Sequence, residues 1–370
     1  MAKLGEVCEV LDSKRVPITA ANRVSGQYPY YGANGVQDYV ADYIFDDELV
    51  LLAEDGGNFG SKEKPIAYRV SGKCWVNNHA HVLKPKAVIN VDYLCYSLMF
   101  YDVSGLINGA TRQKLTQSDM RKMEIPLRTM VEQKNIVCRL NKLTELISLR
   151  KQQITKLDEL VKARFVEMFG DTKLNPNNFP CCSLSEYIVF LTSGSRGWSQ
   201  FFTNSGEYFI TIKNVKNCKI TLQDVQYVTP PDNAEAKRTR VQENDLLISI
   251  TADLGRTGIV TKKIAEHGAY INQHLTCIRL KQNKLNPLYV AYYMESDAGK
   301  EQFVAKNQSA VKAGLNFNAI NSLKLMVPPL ALQNQFAAFV ERVDQQKQIV
   351  QQSLEKLELM KKALMQEYFG

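Results

Sequence analysis

The chain writes one passage twice. "EMFG" closes at Gly170 and "EYFG" at Gly370, and the wording that leads to each is shared. "LTQSDMRKMEIPLRTMVEQ" at 115–133 is answered by "LNFNAINSLKLMVPPLALQNQ" at 315–335. Each has a Leu, a polar pair, a short helix-spaced stretch, Ile-Pro or Val-Pro, and a Gln-bearing start to a long helix. Fainter echoes precede them in the same order: "LGEVCEV" at 4–10 with "LSEYIVF" at 184–190, "DDELVLLAEDGG" at 46–57 with "ENDLLISITADLG" at 243–255, and "WVNNHAHVLKP" at 75–85 with "YINQHLTCIRLK" at 270–281. One such match arises by chance; several in register do not. An internal repeat constrains architecture more than any single motif does. The expected fold is α+β, with mixed α/β domains over 1–130 and 171–333, each followed by a long helix, over 131–170 and 334–370.

Both helices carry apolar residues at the 4–3 spacing of a coiled-coil seam. The first has Ile136, Leu140, Leu143, Ile147, Ile154, Leu157, Val161 and Met168, interrupted by Arg150 and Arg164. In the second, Phe336, Phe339, Val343, Val350, Leu357, Met360 and Leu364 fit, interrupted by Gln346, Ser353 and Glu367. Neither contains Pro or Gly before its terminal glycine. At 1.5 Å per residue each rod runs for roughly 50 Å, too long to bury in a small domain. The two matching seams predict that the helices pair antiparallel, giving two equivalent halves suited to a pseudo-symmetric ligand or to two identical partners.

Hydrophobic content of 45% and charged content of 23% are ordinary globular values. "MAKLGEVCEV" lacks a secretion signal, no stretch approaches the roughly 18 apolar residues of a membrane span, and the eight cysteines follow no framework spacing. A cytoplasmic protein with reduced thiols is expected. The net charge of +8 lies unevenly: residues 1–130 hold 15 basic and 15 acidic side chains, 131–170 hold 8 and 5, 171–333 hold 18 and 13, and 334–370 hold 5 and 5. That excess is modest for a chain that grips nucleic acid by charge alone.

Enzyme motifs fail one by one. "NPNNF" at 175–179 lacks the second proline of an amino-methyltransferase motif, and "VPPL" and "TPPD" lack its leading residue. "PDNAEAK" sets Asp232, Glu235 and Lys237 too close together to surround one Mg²⁺ and reads as a polar loop. Cys74, His79 and His81 fall together, but zinc needs a fourth ligand, and the second half keeps only His274. "SGSRG" at 193–197 is a glycine-rich turn without the Lys-Ser/Thr of a phosphate loop. No catalytic residue and no metal site is expected.

With "YPYYGANGVQDYV" at 28–40, "GATRQKLTQSDMRKMEIPL" at 109–127 and the tandem plan of two domains and two long helices, the sequence resembles the specificity subunit of type I restriction–modification systems along its whole length. The second half departs from that pattern, with "GEYFITIKNV" and "NQSAVKAGLN" in the equivalent places. The resemblance implies a non-catalytic subunit whose two target recognition domains each read one half of a split site in double-stranded DNA. It implies that the paired helices act as spacer and docking surface for two modification (methyltransferase) subunits, which restriction subunits can join. S-adenosylmethionine, Mg and ATP would then be bound by the partners, and no membrane is involved. The alternative is a non-enzymatic interaction scaffold with two repeated domains.

If DNA is the ligand, base reading needs Arg, Lys, Asn, Gln or hydroxyl side chains on a groove-entering element, with phosphates met by nearby basic loops. The candidates are Lys62, Lys64, Arg69, Arg112, Gln113 and Lys114 in the first domain. In the second they are Lys213, Asn214, Lys237, Arg238, Arg240, Arg256 and Lys312.

Overall fold

Valine, leucine and isoleucine runs bounded by glycine and asparagine turns give short strands, and the two Pro-flanked heptad stretches give two long helices. The structure, a computed structural model, describes residues 1–109, 113–307 and 314–370. It divides into two compact units, Met1–Gln152 with Gln351–Gly370, and Gln153–Val350. No helix among the described residues is long and apolar enough to cross a membrane.

In the first unit a six-stranded sheet has the order Cys8–Val10, Ala80–Pro85, Phe45–Ala53, Ala67–Val76, Ser25–Gly32, Gly35–Val40. All pairs are antiparallel except Ser25–Gly32 with Ala67–Val76. Along the central strand Leu49 and Leu51 join one apolar cluster while Val50 and Leu52 join another. Both faces are covered there, so the run is continuously hydrophobic rather than alternating.

The second unit repeats this plan in part, with its strands divided between two sheets. Ile188–Ser193, Leu275–Leu280, Leu246–Ser249 and Thr257–Ile259 form one sheet; Phe202–Thr203, Gln226–Val228, Glu207–Ile210 and Ala269–Ile271 form another. The single long strand Ala67–Val76 of the first unit corresponds here to two, Thr257–Ile259 and Ala269–Ile271, parted by the helix Lys262–His267. The parallel pairing survives, as Phe209 beside Tyr270 in place of Tyr30 beside Trp75.

The duplication reaches individual hydrogen bonds. Asn90 and Asn286 cap equivalent helices, Val91–Met99 and Pro287–Glu295, with their side chains. Their own backbone N–H groups donate to the buried side-chain oxygens of Gln133 and Gln333, each at 2.8 Å. The Tyr93 hydroxyl donates to the Pro126 carbonyl and the Tyr289 hydroxyl to the Met326 carbonyl, both at 2.9 Å. Backbone and phenol groups that leave water must be paired, so these contacts recur wherever the same segments are buried.

The central helix spans Met130–Phe169 and the C-terminal helix Leu330–Phe369. Thr129 and Glu132 close the N-terminus of the first with a reciprocal capping box. The helices pack together antiparallel within each unit. In the first, Arg139 donates to the Tyr368 hydroxyl and Lys151 meets Glu358; in the second, Lys347 meets Asp158 and the Phe165 and Phe336 rings lie 5.3 Å apart.

The second helix corrects its expected seam. Its buried or half-buried line runs Phe336, Val340, Val343, Lys347, Val350, Leu354, Leu357, Lys361, Leu364, Tyr368. Met360 is instead 54% exposed, whereas Phe339 keeps its expected place, half-buried against the core and beneath the Arg164 guanidinium of the central helix. Two lysines hide the register: Lys347 ends on Asp158, and Lys361 places its ammonium over the Tyr96 ring. Long aliphatic stems let charged residues occupy such positions. In the first helix Ile136, Leu140, Leu143 and Val161 are buried and Ile147, Ile154 and Leu157 half-buried, as the spacing requires.

Candidate nucleic-acid interface

In each unit three loops converge at one end of the sheet. In the first, Leu115 N–H donates to Glu54, and Glu54 N–H donates to His79. In the second, Leu315 N–H donates to Ile250, and Ile250 N–H to His274. The backbone frame is thus the same, while the side chains it carries differ.

The first unit fills this end with charge. His81 is fully buried; its Nδ1 lies 2.6 Å from an Asp12 oxygen and its Nε2 2.9 Å from the Leu115 carbonyl. Both neighbours only accept, so a ring nitrogen must carry its proton to hydrogen-bond either of them. Glu54 takes Arg15 at 2.6 Å and Lys114 at 2.9 Å, and Gln117 donates to Asp12. Burial pushes the Asp12 carboxyl up, but hydrogen bonds from His81 and Val82 N–H, with the charges of His81 and Arg15, outweigh it and leave it below the ordinary value. Asp12, Glu54 and His81 are also spaced as metal ligands could be. Arg15 and Lys114 already balance them, so a cation would have to displace both. Cys74 stands apart from this group, in the other core cluster.

Lys62 and Lys64 lie on the adjoining loop, exposed, in a turn held by backbone donation to Ser61. Gln113 is exposed beside Lys114. Arg69 is elsewhere: it bridges Glu48 and Asp92, tying strand to helix, and belongs to the framework. Arg112 and Lys312 lie outside the described residues.

In the second unit Arg256 stands on the loop that follows Leu246–Ser249, paired with Asp253. Lys237 and Arg238 lie on the helix Ala234–Thr239 and Arg240 at its end, where a polar loop was expected; Asn233 caps that helix. Lys237 pairs with Asp232, and Arg240 with Glu207. Arg238 donates to Thr192 and to the Ser193 carbonyl. Lys213 is exposed. Asn214 is buried and holds the turn at Thr211 and Thr221, so its amide is spent internally.

The expected list omits Arg196. It sits exposed in "SGSRG", a turn docked by backbone bonds, Ser195 N–H to Ile271 and Gln273 N–H to Ser195, both 2.9 Å. Its signal in the sequence was one arginine between two glycines.

Burial pushes the Cys8, Cys74 and Cys95 thiols up to about 12, which holds them as thiols.

The model of the type I restriction modification DNA specificity domain matches residues 1–159 and again 199–359. The chain belongs to that family. The specificity domain thus occurs in it twice, at the interval of the internal repeat. A protein of Haemophilus influenzae named for a type I restriction enzyme specificity subunit, S.HindORF215P, is 39% identical over 145 residues, 39% of this chain and 37% of its own length. The type I restriction enzyme MjaVIII specificity subunit of Methanocaldococcus jannaschii is 20% identical over 99% of this chain and 90% of that protein. The S subunit of the M. genitalium type I system shares the fold with a TM-score of 0.61 at 14% identity, over 100% of this chain and 95% of that one.

Proposed function

We propose that this chain is the specificity subunit of a type I restriction–modification complex. Each α/β unit reads one half of a split target in double-stranded DNA. The paired helices serve as spacer and docking surface for two methyltransferase subunits, which restriction subunits can join. The chain itself performs no catalysis, and S-adenosylmethionine, Mg and ATP belong to the partners.

One observation carries this reading: the specificity domain is matched twice, on two units that share the backbone bonds joining their loop ends while the side chains there differ. A duplicated frame with divergent loops suits two readers of different sequences. Within the candidates, Lys62, Lys64, Gln113 and Lys114 lie at the loop end of the first unit and Arg256 at that of the second. Lys213, Lys237 and Arg240, exposed on the second unit, are proposed for phosphate contact, and Arg238 is held by Thr192 and Ser193.

Co-expression with methyltransferase subunits and genome-wide mapping of adenine methylation tests this. A split motif with a methylated adenine in each half is expected. Copurification without methylation would favour the interaction scaffold instead.

A further inference from the structure

The turn "SGSRG" presents one guanidinium in a fixed pose. Arg196 Nε–H donates to the Gln273 side-chain oxygen. The Gln273 amide nitrogen lies 3.3 Å from His274 Nε2, and His274 Nδ1 lies 2.7 Å from the Thr251 hydroxyl. An amide nitrogen only donates, so His274 Nε2 accepts and its proton sits on Nδ1, pointing to Thr251. Each group in this row therefore has one orientation, and the last is Arg196.

The support beneath it is rigid. A Cβ on Gly194 would lie 2.1 Å from the Asn272 carbonyl oxygen, so the turn approaches its neighbour as closely as only glycine allows. Gly197 takes a left-handed φ of 73°. The buried Ser195 hydroxyl meets the buried Thr239 hydroxyl at 3.1 Å, and Arg238 clasps Thr192 and the Ser193 carbonyl on the approach. An exposed arginine that only neutralised phosphate would need none of this, because a point charge works from many poses.

Resting on the function proposed above, the geometry points to Arg196 as a base-reading residue of the second unit, specific for guanine. Held by Nε, it keeps the Nη edge for a two-pronged contact with guanine O6 and N7, the commonest specific arginine contact in the major groove. Gln273 is its positioning residue. Reading elements work best when their own rotamers are locked by neighbours.

The test uses the full chain co-expressed with methyltransferase subunits, with adenine methylation mapped across the genome. Wild type, Arg196→Ala, Arg196→Lys, Gln273→Ala and Gln273→Glu are compared, and melting of each variant is recorded. Both Arg196 variants should relax a single G·C position in one half of the motif, with discrimination there falling roughly 5- to 150-fold, and leave the other half intact. Gln273→Ala should relax the same position, while Gln273→Glu, which still accepts from Nε, should preserve it. An unchanged motif in Arg196→Ala overturns the assignment. So does weaker methylation at every site that Arg196→Lys restores, which marks a phosphate contact. Should Arg196→Ala melt early, Gln273→Ala decides alone. A wild-type complex with no defined target would sink the proposed function itself.

Discussion

Phe369 packs edge-on against Tyr93, 5.1 Å between ring centres, from the opposite end of the sequence. Phe169 meets Tyr289 in the equivalent way at 4.7 Å. Each "FG" ending therefore closes a core it did not start: the central helix begins on the first unit and ends in the core of the second, and the C-terminal helix does the reverse. The repeated phrase is a repeated piece of packing.

Phe169→Ala should cost about 3–5 kcal/mol, since the ring is fully buried among Phe165, Tyr289 and Phe336. Phe369 is only half-buried, so Phe369→Ala should cost less, about 1–3 kcal/mol. Urea unfolding followed by a probe in each unit would separate them. Equal losses in both units from either change would contradict the pairing of each ending with one core.

Gln133→Leu and Gln333→Leu each orphan a backbone N–H, that of Asn90 or Asn286. Each should lose about 1–3 kcal/mol, the cost of a buried unpaired donor. The two losses should add in the double variant, because the sites share no partner. Denaturant midpoints check both statements.

Acid should weaken the first unit selectively. Asp12 and Glu54 are both held below their ordinary values: burial pushes Glu54 up, and hydrogen bonds from Arg15 and Lys114 outweigh it. Stability from such carboxyls is complete above their unfolded pKa of about 4 and is lost as pH falls through the lower folded values. Asp12→Asn should flatten the decline below about pH 4, read as melting temperature against pH. A parallel acid limb in the variant would rule this account out.

The helix register can be checked by charge. Met360→Lys should change stability by no more than about 0.5 kcal/mol, because the side chain is mostly in water. Leu354→Lys, placed on the buried line, should cost several times as much. The opposite ranking would restore the line through Met360.

The repeat, the two long helices and the matched strands were legible because burial demands a pattern and the pattern recurs. The second seam was not, since Lys347 and Lys361 occupy it with aliphatic stems and carry their charge to Asp158 and to the Tyr96 ring. Composition marked Arg69 and Asn214 as candidates for DNA, but residue type does not say that one is clasped by Glu48 and Asp92 and the other buried in a turn. His81 and Arg196 fail in the other direction. Their partners, Asp12 and Leu115 for one and Gln273 for the other, arrive from segments distant in sequence, and no local spacing announces them.

The exchange of helix endings also sets an order on synthesis. The second unit needs residues no later than Val350, whereas the first needs Gln351–Gly370. Residues 1–152 leave the ribosome early and then wait for about 200 more, roughly 10–40 s at 5–20 residues per second. Throughout that interval Tyr93 lacks Phe369, and the seam around Leu140 lacks its partner. The half of the molecule that is translated first is completed last.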